Sequence, residues 1–328
     1  MAKIKWGIIS TAKIARLHVI PGMQAGKYCE VYAIASRDLK TAQAVAKELA
    51  IPKAYGSYEE LLADPEIRAV YNPLPNHLHV PWSIKAAEAG KHVLCEKPIA
   101  LDAAEAKKLV NACQDKGVLL MEAFMYRMHA QWVTVKKMVK DGKIGELKAI
   151  QVFFSYMNLD PANIRNQADI GGGGLMDIGC YPISLFRFIF EAEPKRVMSL
   201  IRRDPKWKID VLTSAMMEFD RGHATFTCST QLTPYQRVNI FGTKGRLELQ
   251  IPFNTPEYEP TNVYYETDKG IETLKIATCH QYQVQGDLFS KAILEGTPIP
   301  TPPEDAIANM RVIDAMLRSE QSGTWESV

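Results

Sequence analysis

Apolar positions in the first 123 residues fall into short blocks separated by stretches with helical spacing. Lys3 to Ile9 reads as a strand, and Ile14 to Gln24 as a helix bent or interrupted by Pro21. Glu30 to Ala35 is a second strand, followed by an amphipathic helix from Leu39 to Leu49. Ile67 to Tyr71 and His92 to Cys95 are further apolar strands, with a helix from His77 to Ala89 between them. Asp102, with Glu105 three residues on, has the form of a capping box opening a helix to about Lys116, and Val118 to Met121 is a last strand. Strand–helix alternation at this spacing predicts a parallel sheet with helices on both faces.

Beyond Phe124 the period changes to two. Candidate strands run over Leu147–Tyr156, Arg196–Arg202, Val211–Phe219, His223–Thr230, Gln236–Phe241, Arg246–Gln250 and Thr261–Glu266. Helices are expected near Gln131–Lys140, Gln281–Glu295 and Glu304–Arg318, with a stiff proline-rich connector at 298–303. The expected fold class is α/β: a parallel-sheet domain over 1–123, then an α+β domain over 124–328 with a large, mainly antiparallel open sheet. Such a sheet is open to pairing with another subunit, so a homo-oligomer, most simply a dimer, is expected.

Length and composition agree. The 328 residues are 47% hydrophobic and 23% charged, ordinary values for a two-domain globular chain. A net charge of +2 leaves no basic footprint for nucleic acid. No apolar run approaches the roughly 20 residues that span a bilayer, and the amino terminus carries no secretory pattern. The six cysteines lie far apart, which fits reduced thiols in a cytoplasm.

Candidate chemistry gathers at the strand ends, where open α/β sheets bind ligands. Leu94-Cys95-Glu96-Lys97-Pro98 ends a buried strand with a lysine stiffened by the proline after it, a candidate cation over a ligand. The first strand-to-helix turn sets Ser10, Ala12 and Ala15 on the positions of a dinucleotide glycine fingerprint. That makes Ser10, Thr11, Ala12 and Ile14 candidate nucleotide contacts, beside the alternative of an ordinary turn. The second strand ends in Ser36-Arg37 with no acid, which suits a ribose 2′-phosphate and favours NADP over NAD. The rigid turn Tyr71-Asn72-Pro73-Leu74-Pro75-Asn76-His77 adds Asn72, Pro73, Leu74, Asn76 and His77, and the strand-end pair adds Glu96 and Lys97. His77 and His79 do not share a helix face, so no metal is expected; both read as surface or cap residues.

In the second half, Gly171-Gly172-Gly173-Gly174 precedes Leu175-Met176-Asp177-Ile178-Gly179-Cys180-Tyr181. The glycines permit close backbone approach or positive φ. A helix starting after them would set Asp177 and Tyr181 four apart on one face. Two readings stand here: a structural Tyr–Asp pair, or Tyr181 as general acid/base with Asp177 and Lys97 setting its orientation and proton affinity.

With these motifs in this order, the chain resembles the glucose-fructose oxidoreductase / inositol dehydrogenase (Gfo/Idh/MocA) family over nearly its whole length. Within it, Trp6-Gly7-Ile8-Ile9-Ser10, Ser36-Arg37, Glu122-Ala123-Phe124-Met125-Tyr126-Arg127 and the Leu175–Tyr181 stretch are most similar to the branch of dimeric dihydrodiol dehydrogenases and NADP-dependent D-xylose dehydrogenases. The resemblance implies an N-terminal Rossmann domain, a cis Lys97–Pro98 bond, and hydride transfer between nicotinamide and a sugar or related cyclic alcohol. It implies Tyr181 as the proton carrier, Lys97 stabilising alkoxide charge and Asp177 orienting both, the groups meeting between the domains. Arg127 and Arg165 are weaker substrate candidates. Two other functions remain open at this point: an NADPH-dependent reductase of a keto-sugar such as 1,5-anhydrofructose, and a non-catalytic NADP-binding sensor.

Overall fold

The computed structural model describes residues 2–328 and divides the chain into two compact units. Among the described residues the first comprises 2–125 and 280–307, and the second 126–279 and 308–328.

In the first unit, strands β1 (Ile4–Ile9), β2 (Cys29–Ala35), β3 (Lys53–Tyr55), β4 (Ala69–Asn72), β5 (His92–Cys95) and β6 (Leu120–Glu122) form one parallel sheet in the order β3-β2-β1-β4-β5-β6. The order reverses beside β1, where ligands bind in doubly wound sheets. The helices are α1 (Ile20–Ala25), α2 (Leu39–Glu48), α3 (Tyr58–Ala63), α4 (His79–Glu88) and α5 (Ala103–Asp115). The central strands β1, β4 and β5 are almost wholly buried, as continuous apolar runs require when both faces are covered. Pro21 does not break its helix: Ala15–Val19 widens into a π turn, and Pro21 sits in the first turn of α1. Asp102 caps α5, accepting from Glu105 N–H at 2.7 Å, while Glu105 reaches back to Leu101 N–H at 3.2 Å. Sequence reading passed over both β3 and α3: β3 is only three residues long, whereas α3 carried a helical signal in Tyr58, Leu61 and Leu62 behind the Ser57 cap.

The second unit is a nine-stranded sheet. Its strands are β7 (Leu147–Met157), β8 (Arg196–Arg203), β9 (Asp210–Phe219), β10 (Gly222–Ser229), β11 (Gln231–Gly242), β12 (Arg246–Leu249), β13 (Thr261–Thr267), β14 (Gly270–Ile276) and β15 (Glu326–Ser327). They lie in the order β14-β13-β12-β11-β7-β10-β9-β8-β15, antiparallel except where β10 meets β7. Helices α6 (Ala130–Lys140) and α7 (Cys180–Phe190) belong to this unit, and α7 packs on β7. Helix α8 (Gln281–Glu295) returns to the first unit, where Trp6 Nε1 donates to Ser290 Oγ at 2.9 Å and Trp6 packs on Phe289. Helix α9 (Pro303–Ser322) closes the chain. Among the described residues no helix is long and apolar enough to cross a membrane, and no group of His, Cys, Asp and Glu is placed to hold a metal.

Candidate active site

In the first unit, the turn after β1 is tight. Ser10 adopts φ 87°, and its hydroxyl accepts from Ala12 N–H at 3.3 Å. The helix that follows presents its free N–H groups beside the small residues expected there. At the end of β2, Ser36 N–H is tied to the Tyr55 carbonyl and Arg37 is exposed, with no protein partner among the described residues. The nearest acid in sequence, Asp38, is engaged. Its carboxylate caps α2, accepting from Thr41 N–H at 3.0 Å and Thr41 Oγ1 at 2.5 Å.

The turn after β4 differs from expectation at three residues. Asn72 is fully buried and spends its amide inside the turn, donating to the His79 carbonyl and Ser83 Oγ and accepting from Leu74 N–H. It shapes the loop that Pro73, Leu74, Asn76 and His77 belong to. Asn76, which as an asparagine ahead of a helical pattern is expected to cap it, instead opens a 3-10 turn through Leu78. His79 is no surface residue: it is 1% exposed, with Nδ1 2.8 Å from the Pro98 carbonyl and Nε2 2.7 Å from the Leu74 carbonyl. Burial drives its pKa down to about 4, against the pull of the two carbonyls.

Lys97 follows β5 and precedes a cis bond to Pro98. Sequence reading missed the residues that hold this turn. The N–H of the Pro98–Ile99 peptide donates to the buried Glu122 carboxylate at 2.8 Å, and its oxygen lies 2.8 Å from His79 Nδ1. Tyr71 donates to Glu96 Oε1 at 2.6 Å, so the residue before Lys97 is fixed to the neighbouring strand. Burial and the Glu96 charge hold the Tyr71 phenol well above its usual pKa, so it remains a donor.

In the second unit, Leu175–Gly179 forms a π turn that runs straight into α7, so Asp177 and Tyr181 lie on successive turns of one helical stretch. The glycines before it receive other parts of the protein. A Cβ on Gly172 would lie 2.5 Å from the Gln167 carbonyl oxygen and 2.6 Å from that of Arg165. One on Gly173 (φ +120°) would lie 2.0 Å from Asp210 Oδ1. Buried Asp210 in turn accepts from Leu175 N–H at 2.5 Å, capping the helical stretch from β9, thirty-five residues away in sequence. Burial pushes the Asp210 carboxyl pKa up.

Both Asp177 oxygens are engaged, Oδ1 by Arg165 Nε at 2.8 Å and Oδ2 by the Tyr156 hydroxyl at 2.5 Å. Tyr156 was not foreseen; a tyrosine in an alternating strand gives no sign of what its hydroxyl meets. The Tyr181 ring is packed among Tyr126, Phe154 and Phe253. Arg127 is buried, donating from Nε to Ser184 Oγ at 3.0 Å and from Nη2 to the Ser184 carbonyl at 2.9 Å. It braces α7, which accounts for a charge in the interior better than an exposed ligand contact does.

A parallel sheet with a strand-order reversal beside a tight first turn is the arrangement of a nucleotide-binding Rossmann domain, and the comparisons with known proteins supply the reaction class. Residues 4–124 match the model of the oxidoreductase family with NAD-binding Rossmann fold, and residues 132–248 match the GFO/IDH/MocA C-terminal domain. An uncharacterized oxidoreductase of Rhizobium meliloti is 47% identical over the whole of both chains. A D-xylose 1-dehydrogenase (NADP(+)) of Haloferax volcanii is 39% identical over 97% of this chain and 98% of its own. A 3-ketoreductase of Actinomadura kijaniata, solved with NADP and TDP-benzene, superposes with a TM-score of 0.91 at 30% identity, covering 97% of this chain and 98% of that one. The chain belongs to the Gfo/Idh/MocA oxidoreductase family. It is an oxidoreductase with an NAD(P)-binding Rossmann domain, a dehydrogenase of the type that acts on CH–OH groups.

Proposed function

We propose that the protein is an NADP-dependent dehydrogenase of a sugar or related cyclic alcohol, of the kind that oxidises an aldose such as D-xylose at C1. The observation that carries the cofactor choice is the end of β2: Arg37 is exposed and unpartnered while Asp38 is consumed as a helix cap. A cation without a competing acid fits a ribose 2′-phosphate and offers no carboxylate to a free 2′-hydroxyl. Ser10, Thr11, Ala12 and Ile14 take the pyrophosphate side, Ser36 and Arg37 the 2′-phosphate, and the 72–77 loop with Glu96 and Lys97 the nicotinamide side. When bound, NADP accepts or supplies the hydride. Tyr181 takes the hydroxyl proton of the alcohol, Lys97 stabilises the developing alkoxide, and Asp177 orients the group that moves the proton. Arg165 stands beside this set through Asp177; Arg127, bonded to Ser184 through Nε and Nη2, is the weaker substrate candidate.

The likeness to a ketoreductase crystallised with NADP supports the reverse direction, reduction of a keto-sugar, as the second reading. Purified protein with NADP and a panel of aldoses, and with NADPH and keto-sugars, followed by nicotinamide absorbance, separates the two. No turnover with either set would defeat both substrate readings. For the cofactor, Arg37→Ala is expected to weaken NADP by about 1.5–3 kcal/mol while leaving NAD nearly unchanged; equal NADP and NAD affinity in the unaltered protein defeats the assignment.

The face of the nine-stranded sheet carrying Gln151, Leu200, Met216, Tyr235 and Arg237 exposes large side chains, Leu200 at 73% and Met216 at 47%. A second copy covering this face makes the protein a homodimer, and sedimentation as a monomer at micromolar concentration refutes it. Six free thiols, five of them buried, suit the reducing cytoplasm.

A further inference from the structure

Asp177 poses a problem for the chemistry assigned to Tyr181. A carboxylate one helical turn before a phenol opposes formation of phenolate, the form needed to take a proton. The structure answers that charge with two residues from elsewhere in the second unit. Arg165 Nε pairs with Oδ1 at 2.8 Å, and the Tyr156 hydroxyl donates to Oδ2 at 2.5 Å.

The arginine is held in place by more than this pair. Its carbonyl accepts from Gly173 N–H at 2.9 Å, and the Gln167 carbonyl accepts from Gly172 N–H at the same distance. The glycine run is therefore a socket for the 164–167 segment, and the side chain of that segment closes back onto the helix the socket begins. Tyr156 is placed just as firmly. Phe154, two residues earlier on the same face of β7, packs on the Tyr181 ring, so one strand touches both Asp177 and Tyr181. The Asp177 charge raises the Arg165 pKa, and the Tyr181 phenol adds to that rise, so guanidinium and phenol interact electrostatically.

We propose that Arg165 and Tyr156 are positioning residues that act through Asp177 to set the proton affinity of Tyr181. This rests on the reading that Tyr181 carries the proton. The groups around Tyr181 in this unit are Asp177 and the Cys180 thiol on its own helical stretch, and Phe154 and Tyr156 on β7. Tyr126, whose hydroxyl meets Ser184, comes from the segment before α6, and Phe253 from the loop after β12. Asp210 and the Cys228 thiol lie toward the start of the helix. Arg127 reaches Ser184 beside the Tyr126 hydroxyl, and Arg165 is the cation paired with Asp177. Neutralising Asp177 keeps phenolate accessible; a bare carboxylate would suppress it.

The test is a set of four variants read in two ways: the pH dependence of kcat for alcohol oxidation, and a phenol titration by ultraviolet difference with Tyr181→Phe as the blank. Arg165→Met leaves Asp177 unneutralised, so the rising limb and the phenol titration should both move to higher pH, by about one unit or more. Arg165→Lys keeps a cation and should recover most of that shift. Tyr156→Phe should move both in the same direction by less. Asp177→Asn leaves Arg165 unopposed and should move both to lower pH. Opposite signs for the two partners of one ion pair are not produced by loss of packing. Shifts of the same sign, or none, overturn the proposal, as does an Arg165→Met enzyme altered in substrate KM alone. Because the phenol titration does not require turnover, it still decides the matter if Tyr181→Phe proves active and the assigned chemistry fails.

Discussion

The turn after β5 and the start of the α7 helical stretch each present one reactive side chain, yet they are held by different means. The Lys97 turn is fixed through its backbone: His79 and Glu122 grip one peptide group, and Tyr71 ties down the neighbouring glutamate. The Tyr181 stretch is fixed through charge and close approach, with Asp210 at its first N–H, Arg165 and Tyr156 on Asp177, and glycines making room for both. The first arrangement holds the backbone around the lysine proposed to stabilise the alkoxide. The second sets charged and hydroxyl groups around the carboxylate one turn before the tyrosine proposed to carry the proton.

The strongest way to break this contrast is to remove both reactive groups. Tyr181→Phe keeps the ring packing and is expected to cost about 10²–10⁴-fold in kcat, with Lys97→Ala costing at least as much. The double variant should fall little below the worse single one, since the two act as a unit. Additive losses would mean that they serve separate steps. NADP affinity should change far less than turnover in Tyr181→Phe.

Acid should strike the Lys97 turn through His79. Burial holds its folded pKa near 4, below the ordinary 6.5, so the unfolded chain takes up the proton first. Stability is therefore full above about pH 6.5 and lost as pH falls toward 4, by about 3 kcal/mol for this residue. His92 and His129 are pushed down to about 4 by burial too and add to the slope. His79→Gln should flatten the dependence of unfolding free energy on pH across this window; an unchanged slope would remove the histidine from the account.

The smallest expected effect sharpens the other side. Gly173→Ala forces a side chain into positive φ and against Asp210, at a cost of about 1–3 kcal/mol. Pairing it with Asp210→Ala relieves the collision, so the double variant should lose less than the sum. Simple addition of the two losses would show that Asp210 and the glycine do not share a socket.

The contrast also explains what could be read from the chain. Glu96-Lys97-Pro98, Ser36-Arg37 and the alternation of the first sheet are local patterns, and the parallel sheet and the long antiparallel one follow from their periods. What escaped was carried by pairs distant in sequence. Asp210 lies thirty-five residues from the N–H it caps, and Tyr156 twenty-one from the carboxylate it meets. His79 looked like a surface residue because its spacing from His77 excludes a metal pair, a criterion that does not detect two carbonyls converging on one imidazole. The glycine run was legible as a demand for space, but the occupant of that space was not.

One feature of the fold bears on how the protein is made. The strands of the first unit are complete by residue 122, but Trp6 finds its partners Phe289 and Ser290 only on α8. On the ribosome, the amino-terminal sheet therefore emerges with its helical cover unfinished, and eight of the nine strands of the second sheet are synthesised before that cover arrives. The nascent chain must keep an apolar flank around Trp6 and Met23 out of contact with neighbouring chains throughout that interval. Its maturation is thus timed by the synthesis of residues 280–307, and a pause anywhere in the second unit prolongs the exposure of the first.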